Sequence, residues 1–402
     1  QYSHKIRIET VCVRRMEKIM ESFEFMLPTK LVFEKHALEQ AGAYAKMLHM
    51  ENPLLVIDRQ LLKLPFAKRL IAAFPNADLY VEVEVNPTIS SVNHCAEYAR
   101  IHQSDGMIAL GGGSCIDTAK GAAAAAVANM DVRMFLDGTA GRVEVPKQLL
   151  PLIAIPTTSG TGSKVSQYAV LTDDKTLRKD SISSGFICPD VALIDPTLTL
   201  GLPKDLSVST GFDVLSHALE AMLSKLENPL TDVLALEALR LVFQWLPVCV
   251  EKPNEEEARA CMAYASILAG IAMSHCCGTL PHGMGCPLSG HYRVPHGLAV
   301  GVLQRYALHH MGHEKDAVCD RIMRYLDTSY NGPFSEAKLA LVSKIESLFK
   351  QLDCPLTLTS YGIEEEGIQQ MCGDALQHGC TSLHPSAVSR EDILQIYREL
   401  MG

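Results

Sequence analysis

Apolar and polar positions follow two different rhythms along this chain. Up to about Leu202, short apolar runs stand between longer amphipathic stretches. Leu54–Ile57 is an apolar run that ends at Asp58, and Leu79–Val85 alternates like a strand. Gly106–Leu110 stops at a glycine cluster and gives way to a helical pattern from Ile116 to Asn129, while Leu150–Ile155 ends at Pro156. Strands alternating with helices predict a mainly parallel, doubly wound sheet. Such sheets bind ligands at the carboxyl ends of their strands, where the glycine and threonine clusters of this chain fall. Beyond Leu202-Pro203 the rhythm becomes helical. Val208–Leu226, Leu230–Val250, Glu255–Ser274, Pro333–Leu352 and Arg390–Met401 carry apolar residues at helical spacing, and no convincing strand follows. The pattern therefore predicts an α/β half followed by an all-α half.

Composition narrows the function. At 402 residues the chain is long enough for two domains of roughly 150 residues or more. Its 48% hydrophobic and 20% charged residues suit a packed globular core rather than disorder. A formal net charge of −10 without a Lys/Arg cluster makes nucleic acid and anionic membranes poor partners. No apolar stretch is read as reaching the roughly 18 residues of a membrane span. The charged start, Gln1 to Glu21, lacks the apolar segment of a signal peptide. Thirteen cysteines without regular spacing read as reduced thiols of a cytoplasmic protein. Three of them, Cys276, Cys277 and Cys286, fall beside a histidine cluster.

The clearest local motif is Gly111-Gly112-Gly113-Ser114, between an apolar run and a helix. Glycines let backbone approach a ligand closely, and the free N–H groups of a helix start suit a pyrophosphate. Ser114 is the expected cap of that helix. A plain capped turn would use the same residues. A second loop, Pro156 to Ser163, places five hydroxyl side chains and two glycines after the next strand, suited either to a nucleotide or to solvent. Asp58 can accept hydrogen bonds from an adenosine ribose and repel a 2′-phosphate, favouring NAD over NADP. It can equally cap the segment that follows.

Asp213 and His217, four apart in a helical stretch, share one face. His282 and His296 follow, each between a proline and a glycine. One carboxylate and three imidazoles suit a divalent transition metal such as Fe2+ or Zn2+ better than Ca2+ or Mg2+. Each residue taken singly has an ordinary structural reading; the combination with a nucleotide-binding half is what points to a metal.

At these residues the sequence resembles the iron-containing (group III) alcohol dehydrogenase family. The resemblance runs from about Pro28 onward, through GGGSCIDTAK (Gly111–Lys120), PTTSGTGS (Pro156–Ser163), PDVALIDPTLT (Pro189–Thr199), STGFDVLSHALEAMLS (Ser209–Ser224), PHGMGCPL (Pro281–Leu288) and PHG (Pro295–Gly297). It implies an N-terminal extension (residues 1–24), a Rossmann-like NAD-binding α/β domain (25–203) and an all-α metal-binding domain (204–402), an architecture shared with dehydroquinate synthase. It places Asp213, His217, His282 and His296 on four metal ligands, with Fe2+ favoured and Zn2+ possible. It places Gly111, Gly112, Gly113 and Ser114 on the pyrophosphate loop, Asp117 just after it, Thr157, Thr158, Thr161 and Lys179 on cofactor contacts, and Asp58 at the position of an NAD-preferring aspartate. The implied reaction is hydride exchange between a small alcohol or aldehyde and nicotinamide, the metal serving as Lewis acid. The resemblance also implies a homodimer or larger homo-oligomer.

The sequence departs from the family pattern around this site. Cys286 stands where a second histidine is common, four residues after the third ligand. Lys164 replaces a usual glutamate, and Ser274-His275-Cys276-Cys277 replaces a Ser-Asn-small-small run. A divergent substrate is therefore expected, with a polyol dehydrogenase or an oxo-acid reductase as the alternative. A lyase resembling dehydroquinate synthase would need basic residues, which Asp213–Ser224 lacks. A non-catalytic NAD-binding protein would have no need of all four metal ligands.

Overall fold

A computed structural model describes residues 22–402. The expectations for Gln1–Glu21, including most of the extension and the lack of a signal peptide, lie outside the described residues. Strands β1 (Lys30–Phe33), β2 (Pro53–Ile57), β3 (Leu79–Tyr80), β4 (Gly106–Gly111), β5 (Leu152–Pro156) and β8 (Val191–Ile194) form one sheet in the order β1-β8-β5-β4-β2-β3. Every pairing in it is parallel. Strands β6 (Tyr168–Thr172) and β7 (Lys179–Ser183) pair as a separate antiparallel hairpin. Helices α1 (Ala41–Met47), α2 (Pro65–Ala73), α3 (Ile89–Ile101) and α4 (Gly113–Ala128) fall between the strands.

The sheet is buried on both faces because its central strands are apolar at every position. Leu54, Val56, Met107 and Ala109 pack with α3 and α4, whereas Leu55, Ile57, Ile108 and Leu110 pack with α1 and α2. After β2 the chain moves outward to β3, then returns across β2 to β4 and on to β5. The order thus reverses between β2 and β4, which opens a crevice at their carboxyl ends. Asp58 and the glycine loop stand there.

From Lys204 the described chain is helical: α5 (Lys204–Leu223), α6 (Pro229–Glu251), α7 (Glu256–Cys276), α8 (Leu280–Tyr292), α9 (His296–His310), α10 (Asp316–Leu326), α11 (Ala337–Gln351), α12 (Glu365–Gln377), the short α13 (Gly379–Ser382) and α14 (Arg390–Met401). They enclose a second core in which Phe212 stacks on Phe349 with ring centroids 4.0 Å apart. Fold class is as expected, an α/β Rossmann-like half followed by an all-α half. One reading is corrected: α6 is long and apolar enough to cross a membrane, with a mean hydropathy of 1.7. Its Leu239, Val242 and Leu246 instead lie in the helical core.

Two other expectations change, and one helix was not read from the sequence. Only Leu79 and Tyr80 of the Leu79–Val85 run pair as strand, against Leu55 and Val56. Ser114 does not cap α4; Gly112 is the N-cap, and the Ser114 hydroxyl accepts a bond of 3.2 Å from the Asn86 N–H. Helix α8 had no recognisable helical signal, because Pro281, Gly283, Gly285, Pro287 and Gly290 imitate a loop. It forms because Pro281 sits in the first turn and burial surrounds the helix from Leu280 to Ser289.

Candidate active site

Helix α5 supplies the centre of the site. Asp213, His217 and Glu220 recur at intervals of four and three, so they share a face directed at α8 and α9. His282 lies in the first turn of α8, and His296 is the first residue of α9. A side chain at Gly297 would collide with the backbone of Ser209 and Asp213, so glycine is what lets α9 begin against α5.

Asp213, His217 and His282 are all buried, with ligand atoms within 4.8 Å of one another. His217 Nε2 is 3.5 Å and His296 Nε2 3.8 Å from Asp213 Oδ1. The His217 and His282 rings stack at 5.0 Å, and His282 meets His296 edge-on at 5.4 Å. Four donors held about 2.1 Å from one ion at tetrahedral angles would stand about 3.4 Å apart. Asp213 Oδ1 and His282 Nε2 are buried without any hydrogen-bond partner. Buried polar atoms are normally satisfied, so this pair fits a shared cation. Oxygen and imidazole donors together suit iron or zinc.

Electrostatics agree. Burial pushes the Asp213 carboxyl up to about 6 and the His217 imidazole down to about 3, His282 adding to the latter. Burial also drives His296 well below its ordinary range. His282 is the exception: burial opposes its charge, but Glu220, with Asp213 and Cys286 adding to it, raises it to about 9. Glu220 Oε1 accepts from His282 Nδ1 at 2.7 Å and from Gln304 Nε2 at 2.7 Å, while Oε2 accepts from the Thr279 N–H at 2.5 Å. This carboxylate fixes the His282 ring with Nε2 facing Asp213 and His217. Sequence reasoning missed Glu220: its place on the Asp213/His217 face was visible, but nothing in the spacing marked it as the partner of His282.

The nucleotide-binding candidates gather at the other side of the cleft. Thr157 N–H bonds the Gly111 carbonyl at 3.0 Å, joining the two loops. A Cβ on Gly112 would rest 3.4 Å from Thr158 Oγ1, and one on Gly113 would press to 2.5 Å from Thr161. Asp58 stands beside Gly111, and its carboxylate caps the next turn by accepting from the Gln60 N–H at 2.9 Å. Asp117 is engaged within the protein, accepting from Ser163 Oγ at 2.6 Å and from the Val170 N–H at 3.2 Å. These bonds tie the start of α4 to the end of the second loop and to β6. Lys179 Nζ donates to Asn86 Oδ1 at 2.9 Å, and its charge is felt at both Cys286 and Asp213, so it spans the two halves.

The departures separate into two groups. Cys286, one turn after His282, and Lys164 lie near the metal candidates, whereas Cys276 bonds Thr231 Oγ1 at 3.2 Å and His275 stacks on Phe25 at 4.2 Å, facing elsewhere. Lys164 is buried with Ser266 as its hydrogen-bond partner, and burial lowers it to about 7 despite the opposing effect of Asp213. An unfolded lysine titrates near 10.4, so between about 7 and 10.4 the unfolded chain binds more protons and stability rises with pH. Lys164→Met removes that contribution. It should raise stability at pH 7 by on the order of 1–3 kcal/mol, the gain shrinking toward pH 10. Thermal unfolding at pH 7 and 9 checks this, and a Tm unchanged or lower at pH 7 contradicts it.

A doubly wound sheet whose crevice carries interlocked glycine and threonine loops, facing a buried Asp/His cluster on a helical half, defines a metal-assisted nucleotide-dependent enzyme. The comparisons make this specific. The family model for iron-containing alcohol dehydrogenase matches residues 28–196, and that for the C-terminal part of the Fe-containing alcohol dehydrogenase family matches residues 207–401. The chain belongs to the iron-containing alcohol dehydrogenase family and is an oxidoreductase. It is 30% identical over 389 residues to alcohol dehydrogenase 4 of Schizosaccharomyces pombe, covering 96% of this chain and 90% of that one. It is 32% identical to 1,3-propanediol dehydrogenase of Citrobacter freundii, covering 94% and 98%. The structure of sulfoacetaldehyde reductase from Bifidobacterium kashiwanohense in complex with NAD+ superposes with a TM-score of 0.86 at 28% identity, over 95% and 99% of the two chains.

Proposed function

We propose that the protein is an NAD(H)-linked alcohol dehydrogenase acting on a small alcohol or aldehyde, with Asp213, His217, His282 and His296 holding one divalent cation. The observation that carries this reading is the buried pair Asp213 Oδ1 and His282 Nε2, neither with a hydrogen-bond partner, set beside two further imidazoles. When bound, the cation supplies Lewis acidity toward the substrate oxygen and the nicotinamide supplies the hydride acceptor or donor. Glu220 holds the His282 ring in place, and Lys179 sets a positive charge between the two halves. Gly111, Gly112, Gly113 and Ser114 present the start of α4 to the pyrophosphate, with Thr157, Thr158 and Thr161 alongside. Asp58 faces the ribose and disfavours a 2′-phosphate. Asp117 serves the same loop by bracing it. In this reading residues 25–203 form the nucleotide-binding domain and 204–402 the metal-binding domain of a cytoplasmic homo-oligomer. The twelve unpaired cysteines among the described residues accord with a reducing compartment.

The test is a substrate panel: simple C2–C6 alcohols, 1,3-propanediol and a hydroxy acid, each with NAD and NADP. Turnover of a simple alcohol or diol with NAD preferred supports the reading. Turnover confined to the hydroxy acid moves the assignment to an oxo-acid reductase, and no redox turnover contradicts it.

The glycine loop yields a separate expectation. Gly113→Ala pushes Thr161 and the second loop away, an overpacking cost of about 1–3 kcal/mol. NADH affinity should fall roughly tenfold with metal content intact, as read by fluorescence titration. Unchanged affinity would remove Gly113 from the cofactor site.

A further inference from the structure

Cys277 closes α7 with φ 58° and ψ 173°, a backbone conformation that glycine favours and a side chain makes costly. Its Sγ lies 3.7 Å from Sγ of Cys380, which is 103 residues away in α13. Both thiols are half-buried, and both belong to segments that grip the metal candidates. Two residues after Cys277, the Thr279 N–H donates to Glu220, which holds His282. Next to Cys380, Thr381 packs on Gly283, the neighbour of His282.

We propose that Cys277 and Cys380 form a reversible thiol–disulfide switch, driven by hydrogen peroxide, that turns the enzyme off when oxidised. The two sulfurs need approach by less than 2 Å to reach the roughly 2.05 Å of a disulfide, and the α7–α8 turn and α13 are the segments that move. The chemistry follows the ordinary oxidation ladder. The Cys277 thiolate attacks the peroxide, an S–O bond forms as the O–O bond breaks, and a proton completes one water. The Cys380 thiol then displaces hydroxide from the sulfenic acid, the S–S bond forms as the S–O bond breaks, and its proton completes a second water. The two thiols are oxidised by two electrons in total and the peroxide is reduced by two. The roles are asymmetric: a hydrogen bond from Cys380, opposed by burial and helped by the Gly278 N–H, lowers the Cys277 thiol to about 6, whereas Cys380 is raised well above its ordinary range. Cys277 is the attacking sulfur and Cys380 the resolving one.

Only the loss of activity rests on the dehydrogenase reading; the disulfide itself does not. The experiment uses the full chain loaded with Zn2+, which does not react with peroxide, and treats it with hydrogen peroxide. Peptide mass mapping should find Cys277 joined to Cys380, with turnover falling about tenfold or more and returning on addition of a dithiol. Cys277→Gly suits the backbone and should keep its activity under peroxide, and Cys380→Ser should leave Cys277 as a sulfenic acid trapped by dimedone. A cross-link between other cysteines, no cross-link, or inactivation of Cys277→Gly at the wild-type rate would each overturn the switch. A cross-link without change in turnover would overturn its regulatory role while leaving the dehydrogenase reading intact.

Discussion

His282→Ala lowers turnover by about 10³-fold or more and empties the metal site, while NADH still binds within a few fold of normal. Lewis-acid stabilisation contributes several kcal/mol, and each 1.36 kcal/mol is tenfold in rate. His282 provides a buried donor atom without a hydrogen-bond partner and is the residue fixed by Glu220. The glycine and threonine loops lie on the other half of the cleft, so cofactor affinity is spared. Metal analysis, NADH titration and steady-state rates on one preparation read all three quantities. Near-normal turnover with one metal still bound would show that the ligand assignment is wrong.

Glu220→Ala should be the second most damaging change, although Glu220 is not itself a proposed ligand. The carboxylate is fully buried, and its loss strands His282 Nδ1, the Gln304 amide and the Thr279 N–H. Each buried group left without a partner costs roughly 1–3 kcal/mol, and loss of such an outer partner costs metal affinity about 10–100-fold. Both a lower Tm in the metal-free protein and weaker competition with a chelator are therefore expected. Glu220→Gln keeps the shape and should retain more of each. Metal affinity unchanged in Glu220→Ala would show that His282 needs no such support.

Much of this was legible in the sequence because burial leaves a direct mark on composition. Strands β2, β4 and β5 read as unbroken apolar runs since both faces of the sheet are covered. Helices α5, α6, α7, α11 and α14 show ordinary amphipathic or apolar spacing. Where tertiary context decides, the sequence was silent. The edge strand β1 is only four residues long and helix α8 is full of prolines and glycines, so neither stands out by its local pattern. Asp213, His217, His282 and His296 could be named from spacing and resemblance, but Glu220 could not be separated from any other helical glutamate until His282 was placed against it. The Asp117 carboxylate bonds Ser163 and Val170, 46 and 53 positions away, links that local spacing does not reveal. The Cys277–Cys380 approach joins residues 103 positions apart, which no periodicity reveals.

The most direct test of the central claim is to strip the protein of metal with a chelator, restore Fe2+ or Zn2+ under anaerobic conditions, and follow NADH oxidation with short aldehydes. The account predicts no turnover without metal, recovery with about one ion per chain, and no recovery in His282→Ala. Turnover that persists in the stripped protein, or that needs no Asp213, His217, His282 or His296, would contradict it.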